Sequence, residues 1–189
     1  LASGKYMTDM EDYVTDQFFF RDQWIHLKVL EDLTLGKRES NGVYIGKKGY
    51  LMQIPENNID MDSVKNNLNG IREFAQRHED VNTVMSLVPN AAYILEQLTP
   101  ANAPVRDQSQ DIALAEDTVG DVLTYVDLTD TMSSHRDEAI YYKTDHHWTS
   151  LGARYAFDTL YSALGISEPT QDYTIYPVSH TFSGTLASK

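Results

Sequence analysis

A chain of 189 residues with a formal net charge of −13 is long enough to bury a substantial core, and its 41% hydrophobic and 23% charged residues fit an ordinary globular protein rather than a disordered one. The acidic excess opposes nucleic acid and anionic lipid, because phosphates need a basic track and none is visible; it favours neutral or cationic partners. With no cysteine there is no disulfide and no thiolate metal site.

From the N-terminus, Asp9 to Leu35 reads as helix in two pieces, with Tyr13, Phe20, Trp24, Leu27 and Leu30 near helical spacing and Gly36 as the stop. The cluster Gln17-Phe18-Phe19-Phe20-Arg21-Asp22 is apolar on too many sides for a solvated helix, so it is expected to pack on another element. Asn41 to Met52 reads as a glycine-turned hairpin around Lys47-Lys48, structural rather than a substrate lid. Met61 to Arg77 carries Val64, Leu68, Ile71, Phe74 and Ala75 on one stripe behind an Asp60 cap, and Val81 to Val88 reads as a buried strand ending at Pro89.

Beyond it come a short helix from Ala91 to Leu98, a proline-bearing loop from Thr99 to Pro104 and a weak helix from Gln108 to Glu116. Val122 to Leu128 is a second strand, Thr129 to His135 a short helix and Ile140 to Lys143 a third strand. Leu151, Tyr155, Ala156, Leu160 and Leu164 form the stripe of a last helix closed by Gly165. The alternation favours an α/β fold. The tail from Ser167 to Lys189, with Pro169 and Pro177, has no helix period and reads as a chain interrupted rather than completed. No apolar run nears the roughly 20 residues that cross a bilayer, and Leu1 in place of an initiator Met leaves room for a leader or anchor ahead of it.

Chemistry concentrates at Asp145-His146-His147-Trp148, where an extended segment is expected to give way to a helix. Side chains of an extended segment alternate, which predicts Asp145 and His147 on one face and His146 and Trp148 on the other. A carboxylate that orients an imidazole is two-thirds of a nucleophilic triad and makes His147 a general-base candidate. The alternative is a turn-capping Asp145 with a hydrogen-bonded, structural His147. Trp148 is expected to anchor the motif in the core. Asp145, His146 and His147 are all metal-ligand types, yet adjacent histidines on opposite faces cannot easily bind the same ion and no His-x3-His pair or second carboxylate cluster sits nearby, so a metal is the lesser reading and no metal or cofactor is expected. His26, His78, His135 and His180 read as surface residues. Ser86, Ser133, Ser134, Ser150, Ser183 and Ser188 all lack a Gly-x-Ser-x-Gly or Gly-Asp-Ser setting.

The stretch Tyr141-Tyr142-Lys143-Thr144-Asp145-His146-His147-Trp148-Thr149-Ser150-Leu151-Gly152-Ala153 resembles the signature of the bacterial DHHW family. That family is similar to the alginate O-acetyltransferases of the SGNH hydrolase superfamily, in which an Asp-x-His-Trp motif supplies two triad residues. Asp16-Gln17-Phe18, Arg21-Asp22 and the hairpin extend the likeness toward the N-terminus. It implies an α/β, SGNH-hydrolase-like layered fold with a central, largely parallel sheet flanked by helices, incomplete at the C-terminus. The implied division is N-terminal helices and hairpin over 1–58 and an α/β core over 59–189.

By the same resemblance Asp145 is the triad acid and His147 the base, His146 and Trp148 are supporting candidates without inherited roles, and the serine follows in a later Gly-Asp-Ser turn beyond Lys189. The implied activity is O-acetylation of an extracellular or cell-wall polysaccharide, outside the cytoplasmic membrane and beside a membrane-bound O-acyltransferase. An acetyl esterase uses the same residues. A noncatalytic carbohydrate-binding or scaffold module is the competing class, which twelve tyrosines and two tryptophans would suit.

Overall fold

The structure, a computed structural model, describes residues 5–55, 58–166, 174, 176, 178, 179 and 181–188. The chain divides into two units, Leu1–Ser40 and Asn41–Lys189. The hairpin therefore belongs with the second unit rather than with the N-terminal helices.

In the first unit, helix α1 spans Lys5–Asp16, helix α2 spans Arg21–Thr34, and a two-residue strand β1 follows at Glu39–Ser40. Phe20 separates the helices by taking a left-handed conformation at φ 57°, which a helix cannot continue. After α2, Gly36 sits at φ 83°, its N–H donates to Leu33 O and the Lys37 N–H donates to Asp32 O. That is a Schellman stop, with glycine at the one position where a Cβ is unfavourable. The part of the 17–22 cluster expected to pack on another element is not its three phenylalanines. All three are exposed, Phe19 at 74%, and the Phe19 and Phe20 rings lie against each other at 3.9 Å.

The second unit opens on a hairpin. Strand β2, Val43–Ile45, pairs antiparallel with β3, Leu51–Gln53, in the register Val43↔Gln53, Tyr44↔Met52 and Ile45↔Leu51. Its turn passes through Lys48 at φ 56° and Gly49 at φ 79°, the second of which glycine adopts without strain. Helix α3, Met61–Arg77, begins where the Asp60 side chain accepts from the Asp62 and Ser63 N–H groups. Its stripe packs Leu68 and Ala75 against Ala115 and Val119 of helix α5, Ser109–Val119, to make the smaller of two hydrophobic clusters. Arg72 ties the same pair of elements through a two-pronged ion pair to Asp121 and a bond to Thr118 O.

The strands are shorter than the residue pattern suggests. Of the three strands expected after the hairpin, the described residues form a ladder only at Val84–Met85, strand β4, and Thr124–Tyr125, strand β5, and these pair in parallel. Ile140–Lys143 is no strand among the described residues: Tyr141 makes a single antiparallel bridge to Trp148. The fold is mixed α/β, with one parallel pair among the described residues, and the expected broad sheet between helix layers is not formed by the described strands.

The larger cluster gathers Met52, Ala92, Leu95, Leu128, Met132, Ile140, Tyr141 and Ala156. Met52 comes from β3, Ala92 from helix α4 at Ala91–Ile94 with Leu95 just after it, Met132 from helix α6 at Thr129–Ser134 with Leu128 just before it, Ala156 from helix α7 at Ser150–Ala163, and Ile140 and Tyr141 from the segment ahead of α7. Burying each large aliphatic side chain contributes about 1.5–3 kcal/mol. This core is the platform beneath residues 141–149.

Candidate active site

Two backbone bonds set the frame: the Tyr142 N–H donates to His147 O at 3.1 Å and the Thr149 N–H donates to Ile140 O at 2.8 Å. They flank the Tyr141↔Trp148 bridge. Residues directly opposite in an antiparallel pair project to the same side. Tyr141 and Trp148 therefore turn inward together, Tyr141 being 2% exposed and Trp148 packed on the larger cluster. Tyr142 and His147 turn outward. The Tyr141 hydroxyl donates to Pro89 O at 2.7 Å, and burial pushes its phenol above the ordinary tyrosine range. Trp148 is the core anchor that its ring size predicts.

Helix α7 starts directly behind this frame. The Thr149 hydroxyl accepts from the Gly152 N–H, capping the helix, and donates to Ala139 O at 2.6 Å. Gly152 lies so close to the Ile140 carbonyl that a Cβ would sit 2.3 Å from its oxygen. The helix end is clamped to the bridge.

Residues 143–146 loop out between the paired Tyr142 and His147, so Asp145 and His146 follow no strand alternation. Asp145 reaches His147 by another route. Its Oδ1 accepts from the His147 backbone N–H at 3.0 Å, an Asx-turn, and pairs with His147 Nδ1 at 2.6 Å. Its Oδ2 accepts from the Thr185 N–H and the Thr185 hydroxyl, both at 3.0 Å. The segment carrying Thr185 is itself held, since the Gly184 N–H donates to Thr144 Oγ1 at 3.0 Å, the Leu186 N–H donates to Thr144 O at 3.1 Å, and Leu186 is buried.

The Asp145 carboxyl is 8% exposed and held well below the usual carboxylate range, first by the Thr185 N–H, with the His147 N–H, the His147 ring and the Thr185 hydroxyl adding to it against the opposing effect of burial. The His147 side chain is 66% exposed. A buried, ionised carboxylate thus holds Nδ1 of an imidazole whose ring stands open to solvent.

His146 does not point away from this pair as alternation predicts. Its ring centroid lies 3.9 Å from that of His147, and its Nδ1 lies 3.3 Å from the Thr185 hydroxyl and 3.7 Å from Asp145 Oδ1. One potential ligand atom from each of Asp145, His146 and His147 falls within 4.8 Å of the others. The opposite-face objection to a shared ion does not hold here.

Among the described residues no serine hydroxyl is hydrogen-bonded to His147. The Ser86 hydroxyl donates to Leu87 O, the Ser134 hydroxyl to Thr131 O, and Ser183 is exposed. His26 and His78 are exposed, as expected. His135 is half-buried, stacked on Tyr155 at 3.6 Å and bonded to Glu138. His180, Pro169, Pro177 and the Ser188 side chain lie outside the described residues. Gly184 and Thr185 went unrecognised in the sequence; the sole local sign is Leu186, an aliphatic residue in a polar tail that a docked segment would bury.

Comparison with known proteins gives this geometry a context. The O-acetyltransferase domain of Pseudomonas putida AlgJ superposes with a TM-score of 0.62 at 21% identity, over 77% of this chain and 56% of that one. Bacillus cereus PatB1 superposes with a TM-score of 0.50, at 17% identity over 63% of this chain and 41% of its own in a sulfonyl-adduct structure, and at 18% identity over 67% and 44% in another. The chain thus spans just over half the length of the AlgJ domain, and likeness at these identities establishes the fold. No curated protein matches the sequence. Residues 43–188 match the ALGX family, described as the SGNH hydrolase-like domain of the acetyltransferase AlgX. The chain belongs to this family of SGNH hydrolase-like acetyltransferase domains, similar to the alginate O-acetyltransferases.

Proposed function

We propose that this chain supplies the acid–base half of an O-acyltransferase that acetylates a polysaccharide outside the cytoplasmic membrane. The observation that carries the reading is the 2.6 Å bond between Asp145 Oδ1 and His147 Nδ1 beside an exposed imidazole. Asp145 fixes the tautomer with the proton on Nδ1, leaving Nε2 to take a proton. The nucleophile is a serine that the protein brings to His147 from outside residues 1–189. In the first step His147 Nε2 accepts the serine proton as Oγ attacks the acetyl carbonyl, and the tetrahedral intermediate collapses with return of that proton to the departing donor oxygen. In the second, His147 deprotonates a sugar hydroxyl, which attacks the acetyl-serine and releases the free enzyme.

Membership of an acetyltransferase domain family and the likeness to the AlgJ O-acetyltransferase domain support acetyl as the group moved. The DHHW-type motif, a bacterial cell-envelope location, a layered SGNH sheet completed in the whole protein, and a membrane-bound O-acyltransferase as acetyl source complete the reading. The test is turnover of an aryl acetate by the full-length protein, with and without an oligosaccharide acceptor. His147→Ala is expected to lower turnover at least about a hundredfold, the loss of a general base. Retained turnover in that variant removes His147 from the mechanism, and acetate release that no acceptor diverts makes the protein an esterase.

A further inference from the structure

We infer that Asp145, His146 and His147 form a site for a borderline-soft divalent cation of the zinc class, and that the ion, when bound, switches the His147 base off. The second half rests on the proposed function; the first does not. Three features of the site converge on it. The ligand atoms are two imidazole nitrogens and a carboxylate oxygen, the donor set that zinc accepts with a fourth position left to water. The atoms already lie within 4.8 Å of one another, and Asp145 Oδ1 faces His147 Nδ1 at 2.6 Å and His146 Nδ1 at 3.7 Å. Metal–ligand bonds of about 2.0–2.2 Å in a tetrahedron put neighbouring ligands about 3.3–3.6 Å apart, so the first distance must open by about 0.7–1 Å, the second close by a few tenths of an ångström, and the two imidazole nitrogens come to the same separation from within 4.8 Å. Both rings are free to make that adjustment, with side chains 45% and 66% exposed.

The carboxylate is already set in place. Thr185 holds Oδ2 through its N–H and its hydroxyl, so Oδ1 keeps its position whether its partner is a proton or a metal ion. His146, which the acid–base chemistry leaves unused, becomes the second nitrogen ligand.

The consequence for catalysis follows from the proton count. In the metal-free site the 2.6 Å contact with Asp145 Oδ1 places a His147 proton on Nδ1. An ion bound at Nδ1 takes the place of that proton, and the N–H of the ring is then at Nε2. Nε2 changes from acceptor to donor and can no longer deprotonate a hydroxyl.

The test uses metal-stripped full-length protein with Zn²⁺ and Co²⁺ as probes. Cobalt is expected to move from its octahedral aqueous spectrum to the intense visible bands of a four-coordinate site. Nitrogen NMR of ring-labelled protein is expected to show the His147 proton moving from Nδ1 to Nε2 as zinc saturates. His146→Ala should weaken zinc binding at least about tenfold, and His146→Cys, which supplies a thiolate, should restore it. Such rescue does not follow from a purely structural role for His146. A His147 proton that stays on Nδ1 at saturating zinc, or a His146→Ala variant that binds as tightly as the native protein, overturns the site. Zinc binding in a protein that turns over no ester when metal-free leaves the site standing and removes the acyl-transfer reading instead. Ester turnover that saturating zinc leaves unchanged overturns the switch.

Discussion

Replacing Gly184 with alanine tests whether the tail segment clamps Asp145. A Cβ at 184 would sit 2.5 Å from Asp145 Cβ, 2.5 Å from Thr144 O and 2.8 Å from Asp145 Oδ2. Ordinary contacts between carbon atoms begin near 3.5 Å, so the overlap is about 1 Å. The atoms it meets are a carbonyl and a Cβ fixed to the backbone, which no rotamer change relieves. If residues 184 and 185 back away by that amount, the two 3.0 Å bonds from Thr185 to Oδ2 lengthen beyond hydrogen-bonding range. Overpacking of this kind costs about 1–3 kcal/mol, and for a protein of this size each kcal/mol lowers Tm by roughly 2–4 °C, so Gly184→Ala is expected to melt roughly 2–12 °C lower.

The control is Gly70→Ala. Gly70 lies inside α3 with open space where a Cβ would go, and alanine there should stabilise the helix by up to about 1 kcal/mol. Thermal unfolding followed by circular dichroism reads both changes, and the His147 ring resonances report whether Asp145 has moved. A Gly184→Ala protein that melts with the parent, its His147 resonances unshifted, refutes the clamp.

Two further outcomes follow from the same geometry. Gly152→Ala places a Cβ 2.3 Å from Ile140 O and 3.1 Å from Trp148 Cβ, so it is expected to lower stability by about 1–3 kcal/mol in denaturant titration and to disturb Trp148 fluorescence. The depressed pKa of Asp145 means that its ionised form stabilises the fold above the unfolded carboxyl value near 4 and that this contribution is lost as pH falls through the lower, folded value. The stability gap between the native protein and Asp145→Asn should therefore be widest at neutral pH and narrow progressively below about pH 4; a gap independent of pH would show that the carboxylate charge does not matter to the fold.

What the sequence disclosed depended on how local the cause was. Helix α3 was legible to its ends because Asp60 caps it and its apolar period lies within 17 residues. The hairpin was legible because Gly49 supplies the positive φ that its turn needs. The strands were not, because β-branched runs such as Val81 to Val88 state only a propensity, and a ladder forms only as far as a partner pairs with it, here Val84 with Thr124 and Met85 with Tyr125. At the site, Asp145 with His147 was legible as a pair of residue types two positions apart. Strand alternation predicts their meeting for a reason that does not hold, since an Asx-turn in a loop brings them together. Thr185 lies 40 residues away, and nothing in its own neighbourhood declares a carboxylate partner.

The division of labour between the two carboxylate oxygens explains why so short a motif needs a folded protein around it. The Oδ1 bonds to His147 span two residues, and an Asx-turn of that kind forms in many loops. They fix where the imidazole sits relative to Asp145, not where Asp145 sits in the molecule. The Oδ2 bonds supply that second constraint, because Thr185 is carried by a segment whose Leu186 is buried and whose backbone is bonded to Thr144. Rotating the carboxylate to release Thr185 also turns Oδ1 away from His147, so docking of the 184–186 segment and aim of the imidazole are one equilibrium. Loosening that segment must therefore cost catalytic geometry as well as stability.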